Sequence, residues 1–337
     1  MGRPYALLRS GFPFLMTLGM RRVTSNAVDV AFGSENRVYV LCRGSLGTEV
    51  RVINMDDDNL GTIGGAGTDE GKFTWPACLI VDKEEKLYVS DEALHRISIF
   101  NRDGDFLGCW GEHGDGEGQL DRPSGIAFDA DENMYVSDTL NHRIQKFTKD
   151  GKFLSSWGRL GDGDGEFNMP WGIAIDELGD VYVADWRNDR VQKFTADGEF
   201  MLKLGASGNE DGEFNRPSGV AVDKDGDIYV ADWGNNRVQL FNQDGKYVEK
   251  FIGDANLSKS ALQYVRSNQI TLRLRDMSRL EEGKRLRGPI SVRVDGEGRL
   301  FIPDFGSHRV QIYQKEAYPL AENQLTPLPR NPLLLTT

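Results

Sequence analysis

Cysteine and histidine are scarce in this chain of 337 residues, which has three of the first and four of the second. The cysteines Cys42, Cys78 and Cys109 form no Cys-x-x-Cys pair. This sparse, odd count excludes a disulfide framework and favours a reducing, cytoplasmic location over secretion. An apolar run of the roughly 18 residues that a membrane-spanning helix needs is also missing, so the sequence predicts no membrane insertion.

Positive charge is in short supply as well. The chain has 40 Lys and Arg against 52 Asp and Glu, which gives a formal net charge of −12. An acidic surface repels phosphate backbones, so nucleic acid is a disfavoured partner. We therefore expect a monomer whose partner is a protein, a peptide or a small-molecule ligand.

Glycine, in contrast, is abundant at 39 residues, and without low complexity this indicates many tight turns. The turns belong to a repeat. Four copies of one phrase, such as MYVSDTLNHRIQKF, contain tyrosines 47 residues apart: Tyr88, Tyr135, Tyr182 and Tyr229. A fifth copy begins at Leu300 and a degenerate sixth at Val38. Six copies over residues of about 20 to 315 indicate one repeat domain rather than two domains.

Each full copy predicts four short strands, as in PSGIAFD, MYVSD, RIQKF and KFLSSWG, joined by turns of the Asp-Gly type. Four antiparallel strands repeated radially form a blade of a β-propeller. We therefore predict an all-β fold, a six-bladed β-propeller of four-stranded antiparallel blades over residues 1–315. Residues 316–337 are rich in proline and are predicted to form a flexible tail.

The sixth copy lacks its fourth strand, and an open strand edge would invite aggregation. Fourth strands elsewhere read FLGCWG or FLSSWG, and Phe14–Gly19 reads FLMTLG. We predict that this N-terminal strand closes the last blade. A signal peptide explains the same apolar segment less well, because Arg21 and Arg22 follow it without a cleavage site.

The phrase GEFNRPSGVAVDKDGDIYVADWGNNRVQLFNQDGKYV, from Gly212, resembles an NHL repeat, and the pattern recurs in at least five copies. The resemblance covers about 295 residues and implies a six-bladed propeller. It implies no single function, because one fold hosts many.

An insertion interrupts the rhythm between blades 5 and 6. Gly253 to Pro289 spans 36 residues, whereas the corresponding interval elsewhere is 12. Residues 254–287 hold eight Lys and Arg against four Asp and Glu. Long insertions in compact domains are usually functional or disordered, so this basic loop is a candidate lid or docking segment. It is also the only segment whose charge favours RNA binding.

Loop topology predicts that one face of the ring carries an aromatic set: Trp75, Trp171, Trp186, Trp233 and Phe305. Aromatic residues on loops over a rigid scaffold are typical ligand-binding anchors, although these side chains could instead be wedged between blades. Arg293 stands where the other first strands carry a small or aliphatic residue near the axis. It is a candidate catalytic or anion-binding residue, and a salt bridge to a neighbouring blade is the alternative.

A recurrent Asp and an Arg five residues later close each hairpin loop in five copies, which indicates a structural pair. The position just before that arginine, the pre-arginine position, holds three of the four histidines. Its occupants are His95, His142, Asp189, Asn236 and His308. Capping of the loop is one interpretation of this position.

A metal site is the other interpretation. The repeat is distantly similar to the propellers of peptidyl-amidating lyases, which hold a metal through histidines of alternating blades. The resemblance implies that His95, Asp189 and His308 would bind Zn²⁺ or Fe²⁺. Asp189 departs from that pattern, because the lyases have a third histidine there.

Three functions stay open, of which RNA binding, favoured by the basic loop alone, ranks third. The favoured one is a binding scaffold for a protein, peptide or small ligand on the loop face. The alternative is a metal-dependent lyase or hydrolase resembling peptidyl-amidating lyase, in which Arg293 orients an anionic substrate.

Overall fold

The computed structural model describes residues 7–44, 47–268 and 280–319. Six four-stranded antiparallel sheets form a ring of blades, which confirms the predicted six-bladed β-propeller. Within each blade the strands follow one another from the axis outward, and the first strands of successive blades contact each other.

Two strands precede the first blade, β1 (Leu7–Gly11) and β2 (Phe14–Leu18). The strands of blades 1 to 3 then follow in order: β3 (Ala27–Phe32), β4 (Arg37–Gly44), β5 (Gly47–Asn54), β6 (Asn59–Ile63); β7 (Pro76–Val81), β8 (Leu87–Asp91), β9 (Arg96–Phe100), β10 (Phe106–Trp110); β11 (Pro123–Phe128), β12 (Met134–Asp138), β13 (Arg143–Phe147), β14 (Phe153–Trp157).

The strands of blades 4 and 5 are β15 (Pro170–Ile175), β16 (Val181–Asp185), β17 (Arg190–Phe194), β18 (Phe200–Leu204); β19 (Pro217–Val222), β20 (Ile228–Asp232), β21 (Arg237–Phe241), β22 (Tyr247–Phe251). The insertion contains helices α1 (Lys259–Ser267) and α2 (Leu280–Lys284). The chain ends its described part with β23 (Arg293–Val294), β24 (Arg299–Asp304), β25 (Arg309–Gln314) and β26 (Glu316–Pro319).

Strand β2 is the fourth strand of blade 6, as predicted. It pairs antiparallel with β25, and Phe14 lies opposite Tyr313 while Leu18 lies opposite Val310. Strands β1 and β26 form an additional two-stranded sheet. Residues 316–319 of the predicted flexible tail are therefore in a strand, because Leu7–Gly11 offers them a pairing edge; residues 320–337 lie outside the described part.

The core lies between the blades. Middle strands such as β12 and β20 are buried at every position, whereas fourth strands such as β10 alternate between half-buried and exposed residues. This follows from the architecture, because neighbouring blades cover both faces of the inner strands and leave the outermost strand at the rim. The recurrent tyrosines, Tyr135 and Tyr229 among them, are fully buried in the gaps between blades.

The recurrent aspartates tie each hairpin loop to the preceding connector, the segment that joins one blade to the next. Asp185 is completely buried; its Oδ2 accepts a hydrogen bond from Nε of Arg190 at 2.8 Å, and its Oδ1 accepts the N–H of Asn168 at 2.7 Å. The same pair recurs as Asp138 with Arg143 and as Asp232 with Arg237. Four of the five copies thus form the predicted structural pair, Asp304 with Arg309 being the fourth. In blade 2 Arg96 instead donates to the carbonyl oxygens of Asp69 and Lys72, and its Nε has no hydrogen-bond partner among the described residues.

The described part of the insertion docks on blade 1. Ser258 caps α1 by accepting the N–H of Ala261 at 3.1 Å, and Asp57 in the turn after β5 accepts the N–H of Ser260 at 2.7 Å. Part of the predicted basic character falls on Arg273, Arg275 and Arg279, which lie outside the described residues. Among the described helices, none is long and apolar enough to cross a membrane.

Candidate functional site

The axis of the ring is almost completely filled. A Cβ atom on Gly125 would lie 2.3 Å from the carbonyl oxygen of Trp171, and one on Gly172 would lie 2.6 Å from that of Ser218. The space left along the axis is a cavity of about 20 Å³, enough for about one water molecule. This cavity is too small for a ligand larger than water.

Arg293 is committed to a salt bridge between blades 6 and 1. Its Nε lies 2.9 Å from Oδ1 of Asp29 and its Nη2 lies 2.5 Å from Oδ2. Asp29 is 1 % exposed and also accepts the N–H of Leu79 at 3.0 Å. Burial acts to raise the pKa of Asp29, but the Arg293 charge and the hydrogen bonds outweigh it and lower that pKa. The structure thus shows the salt-bridge alternative for Arg293 and leaves its charge already neutralised.

Cys78 lies beside this salt bridge, with its Sγ 3.0 Å from Nη2 of Arg293. We call Asp29, Cys78 and Arg293 the axial cluster. Burial raises the pKa of this thiol to about 12. A thiol that stays protonated at neutral pH is a poor nucleophile. The axial cluster therefore holds the ring together and offers no reactive group.

The loops between second and third strands lie beside the connectors, and together they form one surface, the loop face. Backbone hydrogen bonds join the two sets, for example from the N–H of Arg187 to the carbonyl of Asn168 at 3.0 Å. The predicted aromatic residues lie on this face. Trp75 is half exposed, Trp233 is 37 % exposed, and Trp171 and Trp186 are partly exposed. Phe305 instead packs against the core cluster of blades 1 and 2, as the wedge alternative predicts.

Two of these aromatic positions carry an arginine over the indole ring. The Arg43 guanidinium carbon lies 4.4 Å from the ring centroid of Trp75. Trp171 and Trp186 have ring centroids 5.5 Å apart, and Arg216 lies 4.9 Å from the Trp186 ring. A cation over an aromatic face is a favourable electrostatic contact. These arginines place positive charge directly beside the tryptophans, which the sequence pattern alone did not reveal.

Glu92 occupies the position where blades 4 to 6 carry an aromatic residue. It is 6 % exposed, and its Oε1 lies 3.7 Å from Nη1 of Arg43 without a hydrogen-bond partner among the described residues. Burial raises the pKa of this carboxyl to about 7. A buried acid that titrates near neutrality is a candidate functional group. Sequence reasoning missed it, although an acid in an otherwise uncharged position was the available signal.

The pre-arginine residues each bond to the following connector. His142 lies in the left-handed conformation, and its Nδ1 accepts the N–H of Met169 at 3.1 Å. Asp189 uses Oδ1 to accept the N–H of Arg216 at 2.6 Å. The equivalent bonds elsewhere join His95 to Arg122 at 3.2 Å, Asn236 to Gly288 at 2.7 Å, and His308 to Asn26 at 3.0 Å. We call this contact the latch, since it connects adjacent blades.

The latch holds strained backbone in place. Arg122, Met169 and Arg216 each precede a proline and have φ values of 53°, 59° and 55°. The left-handed conformation costs a non-glycine residue about 1–2 kcal/mol. The hydrogen bond from the latch offsets part of this cost. The side chains of Arg122 and Arg216 are exposed on the loop face.

The structure does not bring His95, Asp189 and His308 together, and the predicted Zn²⁺ or Fe²⁺ site on these residues is not formed. The physical reason is the latch, which turns each side chain toward the next connector rather than toward the other blades. Among the described residues, one group of three potential ligands has its donor atoms within 4.8 Å of one another: His95, His113 and Asp121. Sequence reasoning missed His113 and Asp121.

Comparison with known proteins agrees with this architecture. The family model described as NHL repeat matches residues 120–147, 167–194 and 214–241. Each match runs from the end of a connector to the end of a third strand. The chain is an NHL-repeat propeller. No curated protein sequence matches it.

Solved structures similar to this NHL propeller include two enzymes and a WD40 propeller domain. A gluconolactonase from Xanthomonas campestris is 13 % identical with a TM-score of 0.61, over 92 % of this chain and all of the other. Virginiamycin B lyase from Staphylococcus aureus is 13 % identical with a TM-score of 0.56, over 93 % and 90 %. The WD40 propeller of Doa1 is 10 % identical with a TM-score of 0.54, over 86 % and 78 %. Such low identities show the shared fold alone.

Proposed function

We propose that this NHL propeller is a binding scaffold that holds a protein or peptide segment on its loop face. The observation that carries the proposal is the pairing of partly exposed tryptophans with arginines, at Trp75 with Arg43 and at Trp186 with Arg216. Tryptophan and arginine are the residue types that dominate binding energy at protein interfaces. The filled axis supports the same conclusion, because it leaves the faces as the place for a ligand.

The arginines beside the tryptophans favour a ligand with acidic side chains, although the connectors also expose acids such as Asp162, Asp164 and Glu210. Although the chain as a whole carries a net charge of −12, four arginines of the loop face are exposed: Arg122, Arg187, Arg216 and Arg287. Arginine pairs with carboxylates through two parallel hydrogen bonds, which gives both energy and orientation. A peptide that combines carboxylates with an apolar side chain would contact these arginines and the Trp171–Trp186 pair together.

Selection from a phage-displayed library of random peptides tests this proposal. The wild-type chain should enrich acidic sequences, and a Trp186→Ala/Arg216→Ala variant should lose them. Leu178→Ser is the matched control, because Leu178 is 86 % exposed in a turn of blade 4 at the end opposite the loop face. Equal binding by all three proteins would refute the proposal. So would tight, salt-sensitive binding of single-stranded RNA that the Arg216 substitution abolishes.

The enzyme alternative keeps one supporting observation, the buried Glu92 carboxyl beside Arg43 with a pKa near 7. A carboxyl with such a pKa suits general acid or base catalysis at neutral pH. Gluconolactone, chosen because a gluconolactonase shares this fold, is a direct probe, tested with and without added Zn²⁺ or Fe²⁺. Turnover by the wild type that Glu92→Gln abolishes would favour a lyase or hydrolase. The binding proposal expects no turnover.

Action as a cytoplasmic monomer belongs to the same proposal. The cytoplasmic part of the proposal is supported by three free cysteines, two of which are buried, because structural disulfides are typical of oxidising compartments.

A further inference from the structure

Two residues of the connector between blades 2 and 3 depart from the repeat, and both are of types that bind metal ions. His113 stands where the other connectors have an uncharged residue: Ala66, Leu160 or Ser207. Asp121 stands where the others have Thr74, Asn168 or Asn215. Both lie beside His95, the residue that forms the latch of blade 2. Two independent departures thus converge on one pre-arginine histidine.

The distances between their donor atoms fit a shared ion. Nδ1 of His95 lies 3.4 Å from Oδ1 of Asp121, and Nε2 of His113 lies 3.7 Å from the same oxygen. The ring centroids of the two histidines are 4.2 Å apart. Zinc–ligand bonds of about 2.0–2.1 Å at tetrahedral angles place neighbouring donors about 3.3 Å apart. The observed separations are close to that value and longer than the 2.7–2.9 Å typical of charged hydrogen bonds.

We propose that His95, His113 and Asp121 bind one zinc ion. Two imidazoles and a carboxylate are a donor set that zinc prefers. Nδ1 of His95 accepts the N–H of Arg122, so this nitrogen carries a lone pair rather than a proton. Ligation by Nδ1 would replace that latch bond, and the ion would then connect the hairpin loop of blade 2 to the connector in its place.

Three protein ligands leave a fourth tetrahedral position open to water or to a donor atom of a bound partner. Arg122, whose exposed side chain belongs to the loop face, lies next to Asp121 in the chain. The zinc site therefore borders the surface proposed for peptide binding, although it does not depend on that proposal.

The repeat supplies a matched control inside the same molecule. In blade 3 the equivalent residues are His142, Leu160 and Asn168, in which only the latch histidine remains. In blade 4 the Asp189 carboxylate accepts a hydrogen bond from Ser207 at 2.7 Å, which shows that the two equivalent positions meet there as well. The geometry is thus common to the repeats, and the ligand set is particular to the first of these three connectors.

Isothermal titration of the chelator-treated full chain with ZnCl₂ tests the proposal. The exposed thiol of Cys109 would compete for zinc, so all proteins carry Cys109→Ser. We expect one ion per chain and a loss of affinity of at least about tenfold in His113→Ala, since even a group outside the coordination shell commonly contributes tenfold. His142→Ala should bind zinc as the parent does.

His113 is 66 % exposed, so its substitution should leave the fold intact, and circular dichroism checks this. Absence of heat in the parent would overturn the proposal. Equal affinity in His113→Ala, or an equal loss in His142→Ala, would also overturn it. As a second measurement, Co²⁺ should give a d–d spectrum in the parent that His113→Ala removes.

Discussion

Replacing Arg293 with methionine should destabilise the ring strongly at neutral pH and much less in mild acid. Arg293 is 20 % exposed and its partner Asp29 is 1 % exposed, so the variant leaves a buried carboxylate without its cation. Removal of one partner of a buried ion pair typically costs about 3–5 kcal/mol. Because the Arg293 side chain keeps some contact with solvent, we expect a loss of about 3 kcal/mol in the free energy of unfolding at about pH 7.

The pH dependence follows from the pKa of Asp29. Burial acts to raise that pKa, but Arg293 and the hydrogen bonds lower it. In the wild type the pair therefore stabilises the fold above the unfolded-state pKa of the carboxyl, and this contribution is lost only as the pH falls through the lower folded-state pKa. Without Arg293, burial prevails and the pKa of Asp29 rises. The buried carboxyl then binds a proton in mild acid, and the loss caused by the substitution shrinks.

Urea unfolding followed by tryptophan fluorescence at about pH 7 and about pH 5 measures both effects. Lys203→Met is the control for an exposed ion pair, because Lys203 and its partner Asp164 are each about half exposed; we expect a cost of at most about 1 kcal/mol. Adding Asp29→Asn to Arg293→Met should restore part of the lost stability. A loss below about 1 kcal/mol, or one that is equal at both pH values, would refute the reasoning and reopen Arg293 as an anion-binding residue.

Three further outcomes follow from the same contacts. His142→Ala removes the hydrogen bond to the strained Met169 and should lower the free energy of unfolding by about 1–2 kcal/mol. His142→Asn should retain most of that stability, because Asn236 makes the same bond in blade 5. Thermal unfolding compares the two variants, and an equal loss of stability in both would contradict the stabilising role of the latch. Burial raises the folded-state pKa of Glu92 to about 7, so ionisation of this carboxyl destabilises the fold as the pH rises. The melting temperature of Glu92→Gln relative to the wild type should therefore rise between about pH 5 and about pH 8. A difference that stays constant over this range would contradict the raised pKa. Lys315 lies 2.5 to 2.9 Å from three buried or half-buried carboxylates of blade 5, those of Asp223, Asp225 and Asp227. Lys315→Met should therefore lower the free energy of unfolding in urea by about 2–4 kcal/mol. An unchanged free energy would show that the three carboxylates do not need this cation.

The fold was predictable because five of the six blades carry the same signals. The spacing of 47 residues placed the second strand around Tyr135, and the structure has it at Met134–Asp138. The absence of a fourth strand in the last copy identified Phe14–Leu18 as its replacement. Both inferences use periodicity, which is a property of one chain and needs no knowledge of contacts between side chains.

The partners of single residues were harder to predict, because they depend on register in the one degenerate repeat. Asp29 occupies the axial position held by Cys78 and Gly125 in other blades, but blade 1 has Ala27 where the other blades have a proline to mark the register. The carboxylate that neutralises Arg293 was therefore invisible in the pattern. The metal prediction failed for a similar reason, since spacing shows that His95 and His308 are equivalent but not which way the latch turns them.

The boundary between blades 6 and 1 shows how far the repeat logic extends. There β2 supplies the fourth strand and residues 19–26 act as the connector. Asn26 has φ of 52° and donates its N–H to Nδ1 of His308, the same latch that joins blades 2 to 6 to one another. Asp57 adds a bond from the N–H of Gly19 at 2.6 Å, and the Asp29–Arg293 pair crosses the same boundary. The boundary between blades 6 and 1 therefore has the same latch as the other boundaries that have one, together with hydrogen bonds to the two buried carboxylates of Asp29 and Asp57. For this reason we expect the loop face to behave as one rigid surface that does not open at this boundary.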